Sequence, residues 1–124
     1  EYLANIKQVD VESYINFILT LGTKLIVITD GPNAVQVTCK SFTVLIDVPK
    51  ISPLDTTGAG DSFISGFLFS LVQSVEENEE VNTLFDVIEQ HDPIYAAVLF
   101  GSKCGAFTCQ KKGAFTALPK LIDL

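Results

Sequence analysis

The strongest constraint on this chain is a nine-residue stretch, Asp55-Thr56-Thr57-Gly58-Ala59-Gly60-Asp61-Ser62-Phe63. Strand-like segments closed by Pro49 and Pro53 precede it, and Phe63 to Val72 is an apolar run long enough for a buried helix. The glycines therefore fall where an extended segment becomes a helix. Such a junction leaves backbone N–H groups unpaired, with the positive end of the helix dipole behind them. Without a Cβ at Gly58 and Gly60, an anion can approach the backbone closely. Asp61 stands in or beside the first helical turn. Amides that hold a phosphate, beside a carboxylate that takes a proton, are the parts required for phosphoryl transfer to a hydroxyl. A plainer reading exists: Asp and Thr cap helices, and Gly-Ala-Gly serves as a tight turn. The order of the block and its place at the junction favour the anion cradle. No Gly-Lys-Ser/Thr follows, so it is not a P-loop.

The surrounding composition narrows the partners. A length of 124 residues suits about one domain with a real core. The most apolar runs, near residues 62–72 and 94–109, are broken by Ser, Gly, Lys and Cys, so no membrane span is expected. A net charge of −7 argues against nucleic acid and anionic membrane surfaces as partners. The chain contains no Arg, so any phosphate must rely on backbone amides, metal ions, lysines or another segment. Its three cysteines form no Cys-x-x-Cys pair and read as reduced, buried thiols in a cytoplasmic setting, with no zinc site. The sequence begins at Glu1 and has no Met, and is expected to be a fragment of a longer chain or a processed product.

Pattern places the elements. Asp10 is a good N-cap, and Val11, Tyr14, Ile15, Ile18 and Leu19 fall at helical spacing before a stop at Gly22. Lys24 to Thr29 reads as a strand covered on both faces. Asp30-Gly31-Pro32-Asn33 is a turn, and Ala34 to Thr38 completes a hairpin. Phe42 to Val48 is a third strand. Glu76 to Glu80 is a charged, solvated connection. Val81 to Gln90 is predicted as an amphipathic helix. Asp92 is predicted to cap a further helix with Pro93 at its first position, running towards Phe107. Gly101, Gly105 and Ala106 give that helix a thin face, suited to close packing or to a flat ligand. His91, a lone histidine without a carboxylate partner at useful spacing, is left out of the site. Ser62 has no neighbouring histidine, so a serine hydrolase is unsupported.

Three segments in fixed order carry a resemblance: Leu25-Ile26-Val27-Ile28-Thr29-Asp30-Gly31, the block Asp55 to Phe63, and Cys104-Gly105-Ala106 leading to Lys111-Lys112-Gly113-Ala114. Together they resemble the C-terminal part of the ribokinase-like (PfkB) carbohydrate kinases, with the closest look that of the fructokinases. The fold that this implies is α/β, a ribokinase-like three-layer α/β/α sandwich with a mainly parallel central sheet. Residues 1–124 would be the C-terminal portion of a single kinase domain, without its N-terminal half and lid. An incomplete sheet of this kind would leave an apolar edge and face exposed.

By position, the resemblance makes Asp61 the base, and Gly58, Ala59 and Gly60 the anion hole for the transferring phosphate. Thr29 and Gly31 would lie along ATP, and Ser102 would sit beside the adenine where family members often carry Asn or His. Asp55 and Thr57, with backbone carbonyls near Thr108, Lys111 and Gly113, match a monovalent-cation site for K+, although Ala117 stands where some members place a Ser ligand. Glu1 would be the last residue of a magnesium (Mg2+) motif. The implied reaction moves the γ-phosphate of ATP to a sugar hydroxyl, fructose being the best single acceptor. A nucleoside kinase of the same family and a non-catalytic nucleotide-binding remnant are the alternatives. The sugar would be held mainly by the missing half, the isolated piece would be inactive, and a homodimer would form through the missing regions.

Overall fold

The computed structural model describes residues 10–113 and 118–124. Helix α1 (Val11–Thr20) begins at Asp10, whose carboxylate accepts from the Ser13 amide at 2.8 Å and the Ser13 hydroxyl at 2.6 Å. Leu21 closes it, and Gly22 follows with φ +99°. Strands β1 (Leu25–Ile28), β2 (Val35–Cys39) and β3 (Thr43–Ile46) then form one sheet in the order β1-β2-β3. Both pairings are antiparallel, with Val27 opposite Val37 and Val37 opposite Val44. The mainly parallel pairing expected of a complete sheet is therefore absent among the described strands. The reason is connection length. Turns as short as Thr29–Ala34 and Lys40–Phe42 can only join antiparallel neighbours, because a parallel crossover needs a dozen or more residues.

Helix α2 (Ala59–Glu76) follows the Gly block, then the short α3 (Leu84–Val87), α4 (His91–Cys109) and a 3-10 turn at Leu121–Asp123. The helix predicted over residues 81–90 is reduced to α3 because caps crowd it from both sides. Thr83 and Asp86 form a capping box at its start, and Gln90 is already the N-cap of α4. Helix α4 thus begins one residue before Asp92. Pro93 occupies its third position, where a missing N–H still removes only an unpaired donor.

The core lies between the sheet and the α2–α4 pair. Val35, Val37 and Ile46 from the sheet meet Phe63, Phe67 and Leu71 of α2 and Ile94, Ala97 and Val98 of α4. Burying one of these Val, Ile, Leu or Phe side chains stabilises the fold by about 1.5–3 kcal/mol relative to exposure. Strand β1 is only half-buried along its length, rather than covered on both faces. Helix α2 is not buried all round, as its apolar run suggests: on its far side Ile64, Leu68 and Val72 form an exposed stripe at i, i+4 and i+8, because only one face of the helix meets the core.

The two long helices approach closely because small residues meet at their crossing. A Cβ on Gly66 would lie 2.6 Å from the Cys104 sulfur, and one on Gly101 would lie 2.7 Å from the Phe63 carbonyl oxygen. A Cβ on Gly105 would lie 3.2 Å from the Ala59 carbonyl oxygen. The thin face of α4 therefore serves helix packing, the first of its two sequence readings. This close seam holds the start of α2 against the C-terminal half of α4.

Candidate active site at the start of the first long helix

Gly58 is the N-cap of α2 and adopts the left-handed conformation, φ +79° and ψ 0°. An L-residue with a side chain is strained there, which explains a glycine at this point. The Ala59 amide bonds the Thr56 carbonyl at 3.2 Å, and the Ser62 amide bonds the Gly58 carbonyl at 2.9 Å. The Gly60 and Asp61 amides between them have no acceptor among the described residues. Two donors at a helix N-terminus are thus free for an anion. Nothing lies within 4 Å of a Cβ built on Gly60, so the approach to this end of the helix is open.

A cavity of about 380 Å³ borders the same turn. Its wall includes Thr29, Gly31, Gly60 and Ser102, the four residues predicted for the nucleotide, together with Ala59. These come from the end of β1, the β1–β2 turn, the first turn of α2 and the middle of α4. Val35, Val48, Ile51, Phe63 and Ala106 make most of the lining apolar. The hydroxyl of Ser102 is buried and has no hydrogen-bond partner among the described residues, a polar group left for something that enters the site. An apolar slot with a few polar groups, ending at free helix amides, fits a flat base with an anionic tail. Asp61 does not line the cavity; it is exposed at the third position of α2, on the rim of the amide cradle. Gly58 also lies outside the cavity wall.

The predicted cation residues gather at the C-terminal end of α4. Asp55 accepts from the Thr57 amide at 2.9 Å through one carboxylate oxygen and from the Gly113 amide at 3.2 Å through the other. Hydrogen bonds from the Thr57 side chain, then its backbone and the Gly113 backbone, hold the Asp55 carboxyl below its ordinary value, and the charge of Lys112 adds to this. The Leu54 and Asp55 amides both bond the Cys109 carbonyl, at 2.8 and 3.2 Å, and the Lys111 amide bonds the Thr108 carbonyl at 3.2 Å. The loop before α2 is thereby fastened to the turn after α4. Carboxylate and carbonyl oxygens in one place suit a hard cation. No cluster of three His, Cys, Asp or Glu that would hold a metal ion occurs among the described residues. Glu1 and Ala117 lie outside the described residues.

His91 does have a carboxylate partner: its Nδ1 is 3.2 Å from Asp92 Oδ1, the adjacent residue. The ring also stacks on Tyr95 and meets the edge of Phe42, which fixes it at the start of α4, away from the cavity. The three cysteines are free and buried as expected. Sequence reasoning missed Pro32, Lys50 and Cys109 as cavity-lining residues. Only folding brings them to it, and the prolines flanking Lys50 were the sole hint that its segment runs along a surface.

Comparison with known proteins bears on this geometry. The profile of the pfkB family carbohydrate kinases matches residues 1–121. The chain belongs to this family. A probable fructokinase-7 from Arabidopsis thaliana is 34% identical over 98 residues, which cover 79% of this chain and 26% of the relative. A ribokinase from Staphylococcus aureus (strain COL) is 32% identical over 127 residues, covering 100% of this chain and 36% of the relative. Among solved structures, a fructokinase from Xylella fastidiosa with bound ATP superposes with a TM-score of 0.85 at 25% identity, covering 98% of this chain and 37% of that one. An engineered variant of the fructokinase from Vibrio cholerae O395, with fructose, ADP and potassium ion bound, gives 0.74 at 27% identity, covering 92% and 33%. The fold is ribokinase-like, and the chain spans about a quarter to a third of the length of the relatives it matches. No described helix is long and apolar enough to cross a membrane.

Proposed function

We propose that this chain is the C-terminal portion of a single ribokinase-like domain whose complete form transfers the γ-phosphate of ATP to a sugar hydroxyl, with fructose the first acceptor to test. The observation that carries the reading is the cavity itself. Four residues from separate parts of the chain line one slot, and that slot ends at helix amides with no acceptor among the described residues. The slot takes the base and ribose of the nucleotide, with the Ser102 hydroxyl available to a base edge. The Gly58-Ala59-Gly60 turn holds the transferring phosphate through backbone N–H groups, which stabilise charge without reorganising. Asp61, exposed beside those amides, accepts the proton of the acceptor hydroxyl as the new bond forms.

The oxygen set at Asp55, Thr57, Thr108, Lys111 and Gly113 is the place for a monovalent cation, K+ by the family resemblance. That cation would fasten the loop before α2 to the end of α4 and so keep the amide cradle in place. Mg2+ would enter with the nucleotide and neutralise charge on its phosphates. The setting proposed is cytoplasmic, where ATP and free sugars meet.

Two measurements test the reading. Calorimetric titration of Mg-ATP should show binding that Gly60→Val abolishes, because the added side chain covers the cradle. A chain of verified fold that binds no Mg-ATP would sink the nucleotide assignment. For the complete enzyme, coupled detection of ADP release with fructose, ribose and adenosine identifies the acceptor. In that assay Asp61→Asn should lower turnover by about 10²–10⁴-fold while leaving ATP affinity nearly unchanged. Near-normal turnover would refute the role of Asp61. Nucleotide binding without turnover on any acceptor would mark a non-catalytic remnant.

A further inference from the structure

Lys50 is the one charged side chain in the cavity wall; the other lining residues are neutral. That matters in a chain of net charge −7 without Arg. The lysine sits in the connector between β3 and α2, and its Nζ donates to the Pro32 carbonyl at 3.2 Å. Pro32 belongs to the β1–β2 turn, so the bond joins two walls of the cavity that are 18 residues apart in sequence. An ammonium carries three donors, and this bond uses one of them. Its acceptor is neutral, so this solvent-exposed ammonium carries no neutralising partner in that bond. Among the described residues no carboxylate lies within ion-pair distance of Lys50. An unbalanced ammonium on the rim of a mostly apolar cavity is a local attractor for anions in an otherwise acidic protein.

We propose that Lys50 is the cationic contact for the phosphate chain of the nucleotide, and that it sets the preference for more highly phosphorylated nucleotides. The inference rests on the nucleotide reading of the cavity. The four-carbon stem of lysine allows Nζ to leave the Pro32 carbonyl for a phosphate oxygen, exchanging a bond to a neutral acceptor for one assisted by charge on both partners. Lys50 is thus a specificity contact on the phosphates, separate from Asp61 and the amides that serve the reacting atoms. A residue that merely braced the two loops would treat all nucleotides alike, and this difference makes the idea testable.

The experiment is calorimetric titration of ATP, ADP and adenosine monophosphate into the purified protein, its Lys50→Gln variant and its Lys50→Arg variant, at low and raised salt. Circular dichroism confirms that each variant is folded. Lys50→Gln should weaken ATP by about five- to tenfold, ADP by less and the monophosphate least. The ATP loss should shrink as salt screens the contact, and Lys50→Arg should restore most of the affinity. An equal loss for all three nucleotides, or no loss for any, would overturn the proposal while leaving the cavity a nucleotide site. If the unsubstituted protein binds none of the three, the nucleotide reading falls, and this proposal with it.

Discussion

Replacing Gly101 by Ala puts the helix seam under direct test. The new Cβ would lie 2.7 Å from the Phe63 carbonyl oxygen and 3.2 Å from two carbons of the Phe63 ring. The ring can shift, but the carbonyl is part of the α2 backbone and cannot swing aside. Reaching an ordinary contact of 3.4 Å requires the helices to part by roughly 0.7 Å, the difference between 3.4 and 2.7. Overpacking of this kind costs about 1–3 kcal/mol, and a backbone obstacle places it at the upper end. Ala in place of Gly in a helix interior returns about 1 kcal/mol. The net expectation is a loss of about 2 kcal/mol, or roughly 6–10 °C in melting temperature for a domain of this size. Thermal unfolding followed by circular dichroism at 222 nm reads this directly. Gly60→Ala supplies the contrast, since nothing lies within 4 Å of its Cβ, and its melting temperature should hold or rise. A Gly101→Ala protein that melts at or above the unsubstituted one would refute the close crossing of α2 and α4. It would also remove the reason given for how the start of α2 is held beside Ser102.

Two further predictions turn on titration and thiol chemistry. The folded pKa of Asp55 lies below its ordinary 3.8, so the folded chain binds fewer protons there than the unfolded one. Its contribution is fully present above that ordinary value and is lost as pH falls through the depressed one. Exchange protection of the Thr57 and Gly113 amides, corrected for intrinsic rates, should therefore persist from pH ~6 to ~4 and disappear only in stronger acid; protection lost near neutral pH would contradict the clip. Burial pushes the Cys104 thiol above its ordinary 9.0. Iodoacetamide at about pH 8 should label it slowly in the folded protein and readily in urea, as read by peptide mass spectrometry, because only the thiolate reacts. Equal labelling in both states would show that Cys104 is not packed against Gly66.

What the sequence disclosed followed the range of each signal. Asp10, the Gly22 stop and the Asp30–Asn33 turn were legible because caps and turns are made by residues a few positions apart. The junction at Gly58 was legible for the same reason, since the left-handed turn and the helix it opens are adjacent in the chain. The helix over 81–90 was overextended because apolar spacing outlasts the caps that stop it, and Thr83 and Gln90 both act within that window. Half-burial of β1 depends on what packs over it, which period alone does not report. The cavity stood one level further away. Its residues were nameable only through family resemblance, and Lys50 and Pro32 belong to no motif that would have singled them out.

The placement of Asp61 orders the proposed chemistry in space. The cavity ends at Ala59 and Gly60, whereas Asp61 is exposed and outside the cavity wall. On the proposed roles, the nucleotide would reach the N-terminus of α2 from the cavity and the acceptor from outside it, at the Gly60 and Asp61 amides, which have no acceptor among the described residues. An in-line displacement requires such an arrangement, because attacking and leaving oxygens lie on opposite sides of the transferred phosphorus. If nucleotide phosphates reach the amides from the cavity, the acceptor hydroxyl must come from the Asp61 side. The described residues build a wall for the first approach and leave the second open. Nucleotide affinity should therefore be a property that this chain's own residues largely determine, and acceptor choice should follow whatever covers the exposed face beside Asp61. Substitutions along the slot, such as Ser102→Ala, are accordingly expected to alter ATP affinity while leaving the ranking of sugars unchanged; a change in that ranking would mean that the two approaches are not separate.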